Sequence, residues 1–456
     1  MMTDTKKRKK TEPGDPFEQF LQFISSGSVL LMLATAIAVV WANVNHETYE
    51  HTWHAFFNID TKLFKIKMGL LHWINDGLMA IFFFVVGLEI KREFMAGELQ
   101  SVKQAALPVF AAIGGMVVPI LVFLTFGLHQ EAADGWGVPM ATDIAFSLGV
   151  LAVLGKRVPL TLKVFLTALA IVDDLGAVLV IALFYGGELN WMFIGFAMLL
   201  LGVLAFANYK KVQDLKLYTF VGFIIWYLFL MSGMKGPGSG LHATIAGVLI
   251  ALTIPARPKV HVDDFMVRIK NGLKRFDSVP ESPNEIVLTP EQLAAINEIE
   301  YSAKKVQSPL QYIEHQFHGF VNLFILPVFA LANAGVTLVA VTTQGQIFST
   351  VSAAIAVSLV VGKVVGISFF AWLAVKLKFA TKPRQTSWLT FIGLGCLGGI
   401  GFTMSIFIAG LAYTGELLNQ AKIGIFIGSI VAGVAGYYLL KYSLKRDEER
   451  SSIMIK

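Results

Sequence analysis

The sequence predicts an all-α integral membrane protein with about twelve transmembrane helices, and three observations carry that prediction. Of 456 residues, 55% are hydrophobic and 15% charged, whereas a soluble protein carries roughly a quarter charged residues. The apolar residues gather into runs near the roughly 20 residues that a helix needs to cross a bilayer. Most of the charges lie in short stretches between those runs. The net charge of +6 therefore reads as membrane topology, and no nucleic-acid partner is expected. The single cysteine, Cys396, excludes an intramolecular disulfide and falls inside an apolar run, where it reads as a small packed residue.

In chain order, residues 1–26 form a basic N-terminus containing Lys6, Lys7, Arg8, Lys9 and Lys10. No small-residue cleavage pattern closes the apolar run that follows, so it reads as a retained first span. Spans are expected near 27–44, 68–90, 105–128, 137–154, 159–185, 190–208, 216–233 and 239–254, which make helices 1–8 within 27–254. Helices 9–12 fall within 314–441, near 314–334, 350–375, 388–412 and 421–441, and residues 442–456 form a tail. Lys91, Arg92, Lys103, Lys156, Arg157, Lys210, Lys211, Lys216, Lys376, Lys378, Lys382 and Arg384 share one side with both termini. The opposite loops 129–136, 186–190, 335–347 and 413–420 contain no lysine or arginine. The excess of positive charge places both termini in the cytoplasm. Segment 45–67 (with Lys62, Lys65 and Lys67) and the link with Lys235 are the exceptions.

Two loops are long enough for structure of their own. The outer segment 45–67 holds Trp53, Phe56, Phe57 and Ile59, enough for a small hairpin or interfacial element. The cytoplasmic loop 255–313 carries charges of both signs. Within it Thr289-Pro290-Glu291 reads as an N-cap with proline at the first helical position. Leu293, Ile296 and Ile299 at helical spacing extend that surface helix to about Lys305, and the remainder reads as solvated linker.

Ionisable groups at membrane depth are costly and mark function. Asp143 lies inside the fourth expected span, Asp173 and Asp174 near the middle of the fifth, and Lys363 among apolar residues of the tenth. Simple packing salt bridges would account for one aspartate, because one lysine cannot neutralise an adjacent pair. Neighbouring residues on a helix point about 100° apart, so Asp173 and Asp174 occupy different environments while their titrations couple. A carboxylate that holds either a proton or a small hard cation makes the two compete. Oxygen ligands suit sodium, lithium or a proton, and no cysteine–histidine cluster is available for a soft metal. No cofactor is expected.

The fourth span is bounded by Gly135, Gly137, Pro139 and Gly149, and the eleventh reads Gly393-Leu-Gly-Cys-Leu-Gly-Gly-Ile-Gly-Phe-Thr-Met-Ser405. Such glycine density weakens a continuous helix. The triplets of spans 3–5 and 10–12 are offset by an odd number, so they run in opposite senses with an irregular span at the middle of each. That pattern predicts inverted-topology repeats with two discontinuous helices, spans 4 and 11. Asp143 would then balance the facing positive helix ends and Lys363 the negative ones.

The stretches Ala141-Thr-Asp-Ile-Ala-Phe146, Ala168-Leu-Ala-Ile-Val-Asp-Asp-Leu-Gly176, Val86-Gly-Leu-Glu-Ile-Lys-Arg-Glu93, Phe329-Ala-Leu-Ala-Asn-Ala-Gly335 and Gly401-Phe-Thr-Met-Ser-Ile-Phe407 resemble the NhaA family of bacterial sodium–proton antiporters. The resemblance covers nearly the whole chain apart from the basic N-terminus and an insert within 255–310. It implies a pH-regulated antiporter of the bacterial inner membrane, exchanging sodium or lithium ions for protons by alternating access. It also implies roles. Asp174 becomes the principal ion carboxylate, with Asp173 beside it, Lys363 as the partner of Asp173, and Asp143 and Thr142 at the crossing of the broken helices. Glu89, Arg92, Glu93 and Glu314 become a pH-responsive funnel, joined by His242, and segment 45–67 a homodimer contact. Gln311 and Tyr312 stand where some relatives carry basic residues, and Lys235-Gly-Pro-Gly-Ser-Gly240 inserts flexible residues before His242.

Other functions fit less well. An intramembrane aspartyl protease would also place aspartates in neighbouring spans, but its Tyr-Asp and Gly-x-Gly-Asp patterns are missing here and Lys363 would have no role, so no enzymatic activity is expected. A channel would build a ring of equivalent groups from several subunits, not one asymmetric cluster. A transporter of organic solutes would need an apolar pocket for which the sequence gives no sign.

Overall fold

The computed structural model describes residues 16–60, 65–233, 243–278, 287–337, 349–383 and 386–455. Nearly all of them are helical, as the composition predicts. Nine helices among them are long and apolar enough to span a bilayer, beginning with 27–44 and ending with 415–447. A bent pair, Trp388–Gly398 and Phe402–Ala412, adds a tenth, and two shorter apolar helices, Leu215–Leu230 and Ala243–Thr253, occupy the remaining expected positions. The chain is a multi-pass membrane protein. Its contacts divide it into two units, one of residues 1–55, 101–181 and 322–456, the other of residues 56–100 and 182–321.

The first unit holds both irregular spans. Glycine lets its helices approach closely: a Cβ on Gly114 or Gly366 would overlap the other's carbonyl oxygen, and one on Gly362 would lie 2.6 Å from Pro119 Cα. Helices Val102–Leu124 and Lys363–Lys376 therefore meet backbone to backbone, as small residues allow inside a membrane. The turn before Lys363 is a π-turn, Ser358–Gly362, a local widening of the helix that recurs at functional sites. Outside the apolar spans, helix His46–His54 is capped by the Asn45 side chain and brings Tyr49 and Trp53 into the interior. The Tyr49 hydroxyl accepts from Gly335 N at 3.1 Å, and burial pushes its titration upward from the usual phenol range.

The second unit opens with an antiparallel hairpin, Phe56–Asp60 paired with Lys65–Gly69 in the register Phe56↔Gly69. These are the strands among the described residues, and they fall in and just beyond the segment where a small hairpin is expected. Helix Met79–Ala96 packs on Ala243–Thr253, where a Cβ at Gly87 would lie 2.8 Å from that of Ala251. Lys91 Nζ donates to the carbonyls of Leu252 and Ile254 at 2.7 and 2.5 Å, a cation at the carbonyl end of a helix. The loop helix is Pro290–Val306, with Thr289 and Gln292 completing a capping box. A second helix, Val262–Asp277, occupies part of what reads in sequence as linker. Gly272 is its buried contact, since a Cβ there would lie 2.8 Å from Ile299. Exposed charges flanking Phe265, Ile269 and Phe276 mask that apolar stripe until the partner helix is in place.

Candidate functional site

The fourth span enters as a 3-10 helix, Asp134–Met140, passes through extended backbone at Ala141 and Asp143, and resumes as helix Ile144–Leu154. The eleventh stops at Gly398, crosses Gly399–Gly401 and resumes as Phe402–Ala412 after a bend of 46°. The two interruptions bond to each other. Asp143 N donates to Ile400 O at 2.6 Å. Ser147 Oγ donates to Leu397 O at 2.8 Å, and Ser405 Oγ donates to Val138 O at 2.8 Å. Each resumed helix thus satisfies a carbonyl at the end of the other's interrupted half. Such reciprocity is the pattern that a two-fold relation between the segments produces.

One carboxylate serves both resumed helices. Asp143 Oδ1 accepts from Phe146 N at 3.1 Å and Oδ2 from Thr403 N at 3.0 Å and from the Thr403 hydroxyl. It is an N-cap in its own helix and, through Thr403, in the other, where Gly401 at the corresponding place has no side chain. A negative group between two helix N-termini answers both partial positive charges, as the sequence anticipates for Asp143.

Lys363, Asp173 and Thr142 form the centre. Lys363 Nζ donates to Asp173 Oδ2 at 2.6 Å and to Thr142 Oγ1 at 2.9 Å. The Thr142 hydroxyl stands 2.6 Å from Asp173 Oδ2 and 2.8 Å from Gly398 O. With a single proton to donate, it serves one of those two at a time. Lys363 and Asp173 are fully buried, and Asp174 is 3% exposed. Asp173 Oδ1 accepts no hydrogen bond. Lys363 is thus joined to the negative helix end at Gly398 through Thr142, and bonded directly to Asp173.

Glu89, Arg92, Glu93 and Glu314, which the resemblance groups together, all lie within the second unit. Arg92 contacts Glu93 at 3.0 Å and Glu314 at 3.4 Å. His318, one turn beyond Glu314, stands 3.9 Å from Glu89. His242 lies outside the described residues. Sequence reasoning missed His318, Thr403, Ser147 and Ser405. Spacing could have found His318, which follows Glu314 by four residues. The hydroxyls were accessible through position: each falls in the first turn after a break, where freed amides and carbonyls need partners.

A multi-pass helix bundle with buried charged groups gathered at paired helix interruptions is a membrane transport protein of the ion-handling class. The family is more particular. A family model described as Na+/H+ antiporter 1 matches residues 18–440, and the chain belongs to that family. It is 46% identical to Na(+)/H(+) antiporter NhaA 2 of Syntrophotalea carbinolica over 94% of this chain and 97% of the relative. It is also 46% identical to Na(+)/H(+) antiporter NhaA 1 of Saccharophagus degradans over 93% and 91%. Na(+)/H(+) antiporter NhaA of Oleidesulfovibrio alaskensis is 44% identical over 96% of both chains. Among solved structures, the sodium proton antiporter MjNhaP1 from Methanocaldococcus jannaschii gives a TM-score of 0.46 at 11% identity, over 93% of this chain and 98% of that one.

Proposed function

We propose that the chain exchanges sodium or lithium ions for protons across a bacterial inner membrane by alternating access, with both termini in the cytoplasm. The observation that carries this reading is the adjacent pair Asp173 and Asp174, both buried beside the interrupted helices. Asp173 has Lys363 as a fixed counter-charge, whereas Asp174 is the carboxylate assigned to the cargo. Cation and protons compete there, because each stabilises the same negative charge. Loading a cation drives protons off, and reprotonation releases the cation. Thr142, hydrogen-bonded to Asp173, offers a hydroxyl oxygen to that exchange, and Asp143 holds the helix ends in place around it. Glu89, Arg92, Glu93 and Glu314 modulate the response to pH at the mouth of the pathway. The hairpin of the second unit, with Phe56 and Phe57 exposed, supplies the surface for a homodimer.

The test is sodium-dependent proton flux in proteoliposomes. Asp174→Asn keeps the size and hydrogen-bonding capacity of the side chain but removes its exchangeable charge. It should abolish flux while the protein still inserts and folds. Near-normal exchange in the reconstituted variant would refute the assignment.

A further inference from the structure

The last helix, Gly415–Ile455, continues past its apolar stretch into a charged segment. Between Gly436 and Asp447 it follows the half-helix Trp388–Gly398 in antiparallel register. A Cβ at Gly436 would lie 3.2 Å from Cys396 Cβ, and one at Gly393 would lie 2.8 Å from Leu440 Cγ. Continuing along the same seam, Asp447 Oδ2 accepts from Ser387 N at 3.0 Å and from Thr390 Oγ1 at 2.9 Å. Ser387 in turn caps Thr390 N at 3.3 Å. Asp447 thereby serves as a cap supplied from another helix, its negative charge set at the positive end of the half-helix.

The opposite end of that half-helix reaches the ion cluster. Its last carbonyls, those of Leu397 and Gly398, meet the hydroxyls of Ser147 and Thr142. An 11-residue helix is a short rod, rising about 1.5 Å per residue. A shift at its start is therefore felt at its end.

We propose that Asp447 is a positioning residue for transport. By fixing the start of the half-helix it fixes where the Leu397 carbonyl meets Ser147 and the Gly398 carbonyl meets Thr142, the partner of Asp173 and Lys363. The segment after residue 441 is then part of the transport machinery, not a dispensable tail. Its effect on sodium rests on the antiport reading above, whereas its effect on the half-helix rests on geometry alone.

Cys396, the single cysteine and buried within that half-helix, provides a native probe. Asp447→Ala should speed N-ethylmaleimide labelling of Cys396 in membrane vesicles by about tenfold, the scale of one lost helix cap. In proteoliposomes it should raise the sodium concentration for half-maximal proton flux several-fold, with maximal flux unchanged and the thermal unfolding temperature lowered by no more than one lost helix cap accounts for. Asp447→Asn, which keeps the acceptor oxygen, should recover most of both effects. Parent-like labelling together with parent-like sodium dependence would overturn the proposal. So would a fall in maximal flux or unfolding temperature at unchanged half-saturation, which is what a purely structural role predicts. If Asp447→Ala does not fold, Thr390→Val removes one of the two hydrogen bonds and is read in the same way. A parent protein without sodium-dependent flux would sink the antiport reading, yet Cys396 labelling would still decide the position of Asp447.

Discussion

The two charge clusters of this molecule use the same residue types under opposite conditions. At the interrupted helices, Lys363 and Asp173 have no exposed side-chain surface. At the end of helix Met79–Ala96, Arg92 keeps 40% of its side chain exposed while contacting Glu93 and Glu314. The first cluster is surrounded by groups with little freedom to rearrange: Thr142, the Gly398 carbonyl and backbone fixed by Asp143. The second sits on an uninterrupted helix and retains water as an alternative partner. The lesson is that distance does not set the importance of a pair. A contact of 2.6 Å in the interior commits the structure, because either partner alone would be a stranded charge. A contact of 3.4 Å at a half-exposed arginine commits very little, because water and counter-ions can replace it.

The hardest test of that contrast is Lys363→Ala. Breaking a buried pair costs about 3–5 kcal/mol, so the variant should unfold at a clearly lower temperature in detergent and lose transport. Lys363→Arg should recover part of both, since charge returns in a different shape. An alanine variant as stable as the parent would show that the Asp173 contact does not hold the interior together.

Glu314→Gln should do less to stability, on the order of 1 kcal/mol, because Glu314 is buried but its partner Arg92 keeps 40% of its side chain exposed to water. It sharpens the comparison when combined with a sodium titration. If protons and sodium compete at Asp174 and Asp173, raising sodium displaces protons by mass action, and the activation midpoint moves to lower pH. If the Arg92–Glu314 cluster alone governed the response, the midpoint would stay fixed as sodium rises and move with Glu314→Gln. We expect the sodium-dependent shift to dominate, because it requires only groups that transport already needs.

The smallest effect belongs to an exposed pair. On helix Pro290–Val306, Lys304 Nζ lies 2.6 Å from Glu300. Its hydrogen bond and charge hold the Glu300 carboxyl below the usual range. A carboxyl lowered on folding adds stability above its unfolded pKa, and that contribution fades as pH falls through the folded value. Glu300→Gln should nevertheless leave thermal unfolding and flux unchanged near neutral pH. A measurable loss would mean that this helix makes a further contact through Glu300.

The sequence by itself determined the membrane character, the placement of most spans and the candidate charges. Those properties are local. A run of apolar residues crosses lipid wherever it lies, and an aspartate within it must be accommodated. Glycine and proline density also marked spans 4 and 11 as irregular, because backbone propensity acts residue by residue. Tertiary structure alone decided the partners. Nothing in the spacing of Gly401-Phe-Thr says that Thr403 will share Asp143, or that Ser147 and Ser405 will exchange carbonyls across the crossing. Charge patterning likewise hid the second loop helix, whose contact at Gly272 becomes apparent only against Ile299. Whether a buried group is a cap, a counter-charge or a cargo site depends on what faces it, and that is fixed when segments far apart in the chain come together.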